Sequence, residues 1–142
     1  MTPGHYHLGD CMPVEYEIDS ERNRIATQCL GDTTLTEVLE HFDELERDPR
    51  RPPYLDVLLD LTRQTSLPTT HQIMAAAHRI GMAKWTIDFR ACAIVVHRDA
   101  LFGMLRMFEV FAHQHFDRLR VFRDVNEARA WLDDPRSASE AS

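Results

Sequence analysis

Cysteine, glycine and basic side chains are scarce in this chain of 142 residues. The three cysteines are odd in number and have no paired spacing, which argues against a disulfide framework and favours a cytoplasmic protein. The five glycines form no phosphate-binding loop. Acidic residues number 23 against 16 basic ones, so we predict no nucleic-acid binding, because that function depends on basic patches.

Long apolar runs are also missing. No run approaches the roughly 20 residues that a membrane-spanning helix needs, so we predict no membrane insertion. The first ten residues lack the apolar centre of a signal peptide. We expect a flexible N-terminal tail over residues 1–12, one domain over 13–133 and a disordered C-terminal tail over 134–142. Met12 is a candidate natural start.

Hydrophobic periodicity predicts the element order β-β-α-β-α-β-α-β-α. Residues 14–19 and 24–30 form a strand hairpin in this prediction, because both alternate in hydrophobicity across a polar turn. Later strands are predicted over 55–61, 89–97 and 118–123, and helices are predicted to begin at caps formed by Thr34, Thr69, Asp99 and Asp124. A hairpin followed by alternating helices and strands indicates an α/β sandwich with a mixed sheet.

Three segments carry a resemblance to a known family. They are the strand end at residues 58–61, the helix at 102–108 and the closing stretch at 121–132. Over residues 14–132 the chain resembles the SpoIIAA-like branch of the STAS (sulfate transporter and anti-sigma-factor antagonist) fold. The resemblance implies a four- or five-stranded sheet with helices mainly on one face. It also implies a domain that binds partner proteins, nucleotides or apolar ligands and is not an enzyme.

The chain departs from this family at one motif. Members that act as phosphorylation switches carry an Asp-Ser-Ser-Gly turn after the central strand, whereas residues 62–68 here read Thr-Arg-Gln-Thr-Ser-Leu-Pro. Ser66, Thr69 and Thr70 are the candidates for a phosphate site, because a helix N-terminus favours an anion. Asp60 joins them because ligand sites form at the carboxyl ends of central strands. The alternatives are that Thr69 is only a helix cap and that Asp60 binds turn amides.

The histidines do not predict a metal site. His71 and His78 lie two helical turns apart, about 10 Å, which is too far for both to bind one ion. His5, His7 and Cys11 lie close in sequence but have no residues around them to hold a metal-binding geometry. We therefore predict neither a metal nor a cofactor.

Catalytic motifs are also missing. The chain has no Gly-x-Ser-x-Gly turn, and Cys92 lies inside an apolar strand where a small core residue is expected. The one enzymatic alternative is an acid–base pair of Asp60 and His97, since both are predicted at strand ends. We predict a protein that is not an enzyme.

The long helix predicted over residues 100–115 has an unusually wide apolar face. The side chains predicted to face the sheet are Leu101, Leu105, Phe108 and Ala112. Met104, Met107 and Phe111 extend this face on one flank. Three interpretations are open: a thick core, a homodimer seam, or an apolar ligand pocket that Met74, Met82 and Trp85 would help to line.

Charge is unevenly distributed along the chain. Residues 34–48, the first predicted helix, carry six acidic side chains against one arginine. A solvated helix face is the usual interpretation, and attraction of a basic partner is the alternative. Together these features predict a non-enzymatic STAS-like regulatory or protein-interaction domain that forms a homodimer. The alternative is a carrier of a small apolar or amphipathic ligand in a methionine-rich pocket.

Overall fold

The computed structural model describes residues 14–83 and 85–134. These residues form the predicted order of elements, with a short 3-10 turn after the third helix. The elements are β1 (Val14–Asp19), β2 (Arg24–Gly31), α1 (Leu35–Glu46), β3 (Tyr54–Gln64), α2 (Thr70–Met82), β4 (Asp88–Val95), α3 (Asp99–Ala112), β5 (Arg118–Phe122) and α4 (Val125–Asp133). The predicted N-terminal tail with Met12, and the predicted C-terminal tail beyond Asp134, lie outside the described residues.

One mixed sheet of five strands organises the fold. Its strand order is β1-β2-β3-β4-β5, with β1 antiparallel to β2 and every other pair parallel. Each of the parallel strands β2 to β5 lies next to the one before it on the same side of the sheet. Because crossovers between parallel strands are almost always right-handed, α1, α2 and α3 lie on the same face. The helix α4 follows the last strand and packs on the opposite face. The predicted α/β class and mixed sheet are confirmed.

Two separate cores follow from the alternation of side chains along β3. Val57 and Leu59 face α1, α2 and α3, whereas Leu58 packs in the smaller core beneath α4. The stripe predicted for α3 is confirmed, since its buried residues are Leu101, Leu105, Phe108 and Ala112. No helix among the described residues is long and apolar enough to cross a membrane.

The predicted helix starts are confirmed for three helices and wrong for one. Thr34 and Thr69 each form a complete capping box, and the Asp124 carboxylate accepts from the Glu127 amide at 3.0 Å. Asp99 is not a cap but the first residue of α3. Its carboxylate instead accepts a hydrogen bond from Arg123 across the end of the sheet.

The central strands differ in length from their predictions. The prediction of a connection over residues 62–68 is wrong for its first three residues, because β3 continues to Gln64 and pairs with Gly31 of β2 beyond a bulge. Pairing with a neighbouring strand outweighs the polar composition that suggested a loop. The prediction for β4 is wrong in the opposite direction, because the strand ends at Val95, two residues earlier than predicted.

Candidate functional site

An exposed groove of mixed polarity lies between α2 and α3, and its lining includes Met74, Met82 and Phe111 as well as His78, Gln114 and His115. Its volume is about 330 Å³, and no Lys, Arg, Asp or Glu lines it. Four large apolar side chains on these two helices are exposed: Met74 (51%), Met82 (66%), Val110 (68%) and Phe111 (39%). Contiguous exposed apolar surface of this kind marks interaction sites in soluble domains. We call the surface formed by these four residues the α2–α3 surface.

The sequence of α2 explains why its side of the groove is open. Ile73, Ala76 and Ala77 bury one stripe of the helix against the core. Met74, His78 and Met82 follow at intervals of four residues, so they form a second stripe that faces away from the sheet. The helix is therefore apolar on two sides, and only one of them is covered.

A close approach between Gly81 and His115 forms one end of the groove. A Cβ atom placed on Gly81 would lie 2.8 Å from Cε1 of the His115 ring, closer than unbonded atoms pack. Glycine at this position therefore allows the 3-10 turn after α3 to cover the last turn of α2.

The structure separates the five residues predicted to form one ligand or partner surface. Met74 and Phe111 line the groove together. Met104 and Met107 are half-buried and pack against the larger core. Trp85 lies elsewhere, against Phe42 and Phe89 at ring-centroid distances of 6.0 and 5.6 Å. The methionine-rich region is thus an open groove, and Trp85 is not part of it.

Trp85 instead lines an apolar cavity between the sheet and the helices α1, α2 and α3. The cavity is partly open, its volume is about 60 Å³, and Gln64 is the one strongly polar side chain among the lining residues. Five aromatic rings contribute to the wall: Phe42, Trp85, Phe89, Phe108 and Phe116. The sequence did not indicate this cavity, because its wall is assembled from five separate elements and from the segments before β4 and β5.

Two acidic residues of α1 hold the segment that carries Trp85. The Asp43 carboxylate accepts from Nε1 of Trp85 at 2.8 Å and from the Arg79 guanidinium at 2.7 Å. The Glu46 carboxylate accepts from the Thr86 amide at 2.9 Å. Burial alone would raise the pKa of Glu46, but hydrogen bonds from Thr86 help to lower it below its ordinary value. Part of the acidic face of α1 therefore has a structural role in addition to being solvated.

Replacing Asp43 tests this tether. We expect Asp43→Ala to lower the free energy of unfolding by about 1 kcal/mol, because two hydrogen bonds at a half-exposed site are lost. We also expect the fluorescence of Trp85 to shift to longer wavelength as the indole becomes hydrated. The matched control is Glu44→Ala, at an exposed position of the same helix. An unchanged spectrum in Asp43→Ala would contradict the tether.

The candidate phosphate residues do not form one cluster. Asp60 lies on the α4 face of β3, where its carboxylate accepts from the amide and hydroxyl of Thr62 at 2.9 and 2.7 Å. The Ser66 hydroxyl donates to the carbonyl of Thr33, between β2 and α1. Thr69 caps α2, and Thr70 is exposed in its first turn. The alternatives named for Asp60 and Thr69, turn bonding and capping, match the contacts that these side chains make.

The remaining chemical candidates are also dispersed. Among the described residues, no hydrogen bond joins Asp60 to His97, which is exposed beyond the end of β4. Cys29 and Cys92 are buried, and burial raises the pKa of each thiol to about 12, so neither is a thiolate near neutral pH. The prediction of Cys92 as a core residue is confirmed. Residues 14–83 and 85–134 contain no group of three His, Cys, Asp or Glu side chains placed to hold a metal ion.

His41 is one of the buried polar residues that the sequence analysis missed. His41 is 5% exposed on α1, and its Nε2 lies 3.1 Å from the Thr27 hydroxyl. Its ring packs between Tyr16 and Phe42 at centroid distances of 4.9 and 4.7 Å. Burial lowers the pKa of His41 to about 4, so the ring is neutral at physiological pH. Its position one turn before Leu45, on the buried face of α1, is the signal that could have identified it.

Comparisons with models of known protein families and with curated proteins find no match to this chain. The functional argument therefore rests on the geometry of the α2–α3 surface.

Proposed function

We propose that this chain is a non-enzymatic, cytoplasmic STAS-like protein-interaction domain that forms a homodimer through the α2–α3 surface. The observation that supports the proposal is a groove without Lys, Arg, Asp or Glu that is lined by three exposed apolar side chains, Met74, Met82 and Phe111. The STAS-like assignment is supported by the element order and by the sequence resemblance. A regulatory role follows from the proposal that the domain acts by binding protein.

A second copy of the chain suits this surface better than a charged partner does. Val110 is 68% exposed on α3 and is next in sequence to Phe111, which lines the groove. A two-fold axis would allow each copy to place Val110 toward the groove of the other. No Lys, Arg, Asp or Glu lines the groove, and Arg106 on α3 is paired with Glu109 at 2.9 Å, so two copies would not bring unpaired acidic or basic side chains of these types together.

The open shape of this surface favours a protein partner over a carried ligand. A small-molecule site normally encloses most of its ligand. Met74, Met82 and Phe111 surround a groove that is open to solvent, and Met104 and Met107 are occupied by core packing. Carriage of an apolar ligand at these methionines is therefore the weaker candidate.

Sedimentation equilibrium of the whole chain tests the homodimer. We expect Phe111→Glu and Val110→Glu each to raise the dimer dissociation constant at least about tenfold, because a carboxylate would lose water in the apolar seam. Ala130→Glu, at an exposed position of α4 on the other side of the sheet, is the matched control. Met107→Glu is a poor test, since this half-buried side chain would affect folding as well.

Circular dichroism should show the same helix content in all of these variants. A wild-type chain that stays monomeric up to several hundred micromolar would overturn the proposal. Identical dissociation constants for wild type and Phe111→Glu would move any dimer interface away from the α2–α3 surface.

A further inference from the structure

Two imidazole rings and a thioether share one end of the groove between α2 and α3. His78 and Met82 belong to α2, and His115 belongs to the 3-10 turn after α3. All three side chains are exposed and line the groove. Neither imidazole makes a hydrogen bond to another of the described residues, so the lone pairs of the ring nitrogens are available to a metal ion.

The close approach at Gly81 brings His115 to the same turn of α2 as the other two side chains. Nε2 of the His115 ring lies 2.9 Å from the point where a Cβ atom on Gly81 would stand, so the imidazole takes the place of a side chain at position 81. Position 78 is three residues from position 81 and four from position 82, and residues at these spacings are neighbours on a helix, with Cβ atoms about 5–6 Å apart. Pairs of histidines four residues apart on a helix bind one ion in metalloproteases, so this spacing suits a single metal.

The chemistry of the donors selects a soft ion of low charge. Thioether sulfur favours Cu(I) over hard ions such as Mg²⁺ and Ca²⁺, and imidazole also suits copper. No Asp or Glu lines the groove, so no anionic ligand there balances the charge of the ion. A singly charged ion is therefore less costly to hold than a doubly charged one. Gln114 also lines the groove, but an amide oxygen is a ligand for hard ions.

We propose that His78, Met82 and His115 bind one Cu(I) ion through two imidazole nitrogens and one thioether sulfur. Met74 is not a fourth ligand, because it lies eight residues before Met82, about 12 Å along the helix. All three ligands belong to one chain, so the site is complete without the homodimer proposed above and goes beyond it. We predicted no metal site from histidines compared within single segments, whereas this site joins two elements that are distant in sequence.

NMR titration of the whole chain with Ag(I) tests the site residue by residue. Ag(I) has the charge and softness of Cu(I) but does not change oxidation state in air. We expect the methyl signal of Met82 and the ring signals of His78 and His115 to shift together and to saturate. The methyl signal of Met107, which packs against the larger core, should not shift. Unchanged signals of Met82 and both rings at several equivalents of Ag(I) would overturn the site.

Soft donors near the N-terminus require a control of their own. His5, His7 and Cys11 lie close in sequence, and a thiolate binds Cu(I) well. The Cu(I) affinity is therefore measured in the full-length chain with His5→Ala, His7→Ala and Cys11→Ser, without oxygen, by competition with a colorimetric Cu(I) chelator. Cys29 and Cys92 are kept, because both thiols are buried. We expect one Cu(I) per chain, and tighter binding of Zn(II) than of Cu(I) would overturn the ligand class.

Replacement of single ligands in that chain tests the assignment. His78→Ala, Met82→Leu and His115→Ala should each weaken Cu(I) binding at least about tenfold, because loss of a residue that only orients a ligand already costs about that much. The matched controls are His71→Ala and Met74→Leu, at other exposed positions of α2, and both should keep the affinity. Equal losses in the controls and in the ligand variants would show non-specific binding by exposed side chains and would overturn the site.

Gly81→Ala is the variant that keeps all three ligands. Its methyl group would meet Cε1 of the His115 ring at 2.8 Å, so the ring must move, and alanine itself favours the helix. We expect Cu(I) binding to weaken about as much as in His115→Ala, and an unchanged affinity would overturn the role of His115. Sedimentation equilibrium of the metal-free chain measures the homodimer separately, so failure of either proposal is distinguishable from failure of the other.

Discussion

Acidification from pH 6.5 to pH 4 should lower the free energy of unfolding by about 3 kcal/mol through His41 alone. Burial lowers the pKa of His41 to about 4 in the folded chain, against 6.5 for an ordinary histidine. Between these values the unfolded chain binds a proton that the folded chain does not, so stability decreases as the pH decreases. Well above pH 6.5 the ring is neutral in both states, and His41 causes no pH dependence there.

Other shifted groups act in different pH ranges. The pKa of Asp48 is lowered to about 2, chiefly by hydrogen bonds from Arg50, so its contribution is lost only below pH 3.8. Burial raises the pKa of Asp56, so protonation of this group favours the folded state, which is the opposite sign. Among the described groups whose pKa is lowered, only His41 has an ordinary pKa above 5.

Chemical denaturation at a series of pH values measures this effect. His41→Gln is the informative variant, since an amide can keep the hydrogen bond to Thr27 but does not titrate. We expect His41→Gln to be less stable than wild type at pH 7, because it loses the ring contacts, but to have a much flatter profile between pH 6.5 and 4. Parallel profiles of stability against pH for the two proteins would contradict the lowered pKa of His41 in the folded state.

Asp133→Ala should destabilise the chain by about 2 kcal/mol, more than replacement of its partner Arg24. The Arg24 guanidinium is buried beneath α4 and donates to the Asp133 carboxylate at 2.5 Å, while its Nε has no hydrogen-bond partner among the described residues. Without Asp133, the buried arginine loses its ion pair, and Asp56 on the neighbouring strand β3 is the nearby carboxylate that remains. The expected loss is smaller than for a fully buried ion pair, because the Asp133 side chain is 55% exposed.

Arg24→Met is the matched comparison. Methionine keeps an apolar stem of similar length beneath α4 and removes the charge that needs a partner, so we expect a cost below about 1 kcal/mol. The double variant should match Arg24→Met. Urea unfolding of the four proteins measures these differences, and a larger loss for Arg24→Met than for Asp133→Ala would show that the ion pair contributes net stability.

Local signals in the sequence predicted most of the secondary structure. The capping boxes at Thr34 and Thr69 and the periodicity of α3 depend on neighbours within a few residues, and all three are confirmed. The predicted end of β3 was wrong because Thr62, Arg63 and Gln64 are polar residues, and their strand conformation depends on pairing with β2. Pairing between distant segments is not visible in a local pattern.

The surface and the cavity were predicted less well for the same reason. Helical spacing placed Phe111 on a flank of its helix, and Met74 was named as a possible lining residue of the same pocket. Their proximity follows from the packing of α2 beside α3. Nothing in the sequence near Trp85 indicated its bond to Asp43, since 42 residues separate them. Gln64 was counted as part of a loop, so its place in an apolar wall could not be anticipated.

The strand order described above also governs how the domain assembles during synthesis. Each strand pairs with the one made just before it, so the sheet can extend at a single edge as the chain leaves the ribosome. The helix α4 emerges last, yet it covers Leu58 and the small side chains of β4 on the opposite face. Until residues 125–133 are free of the ribosome tunnel, a nascent sheet therefore presents this apolar face to solvent, where a chaperone can bind it.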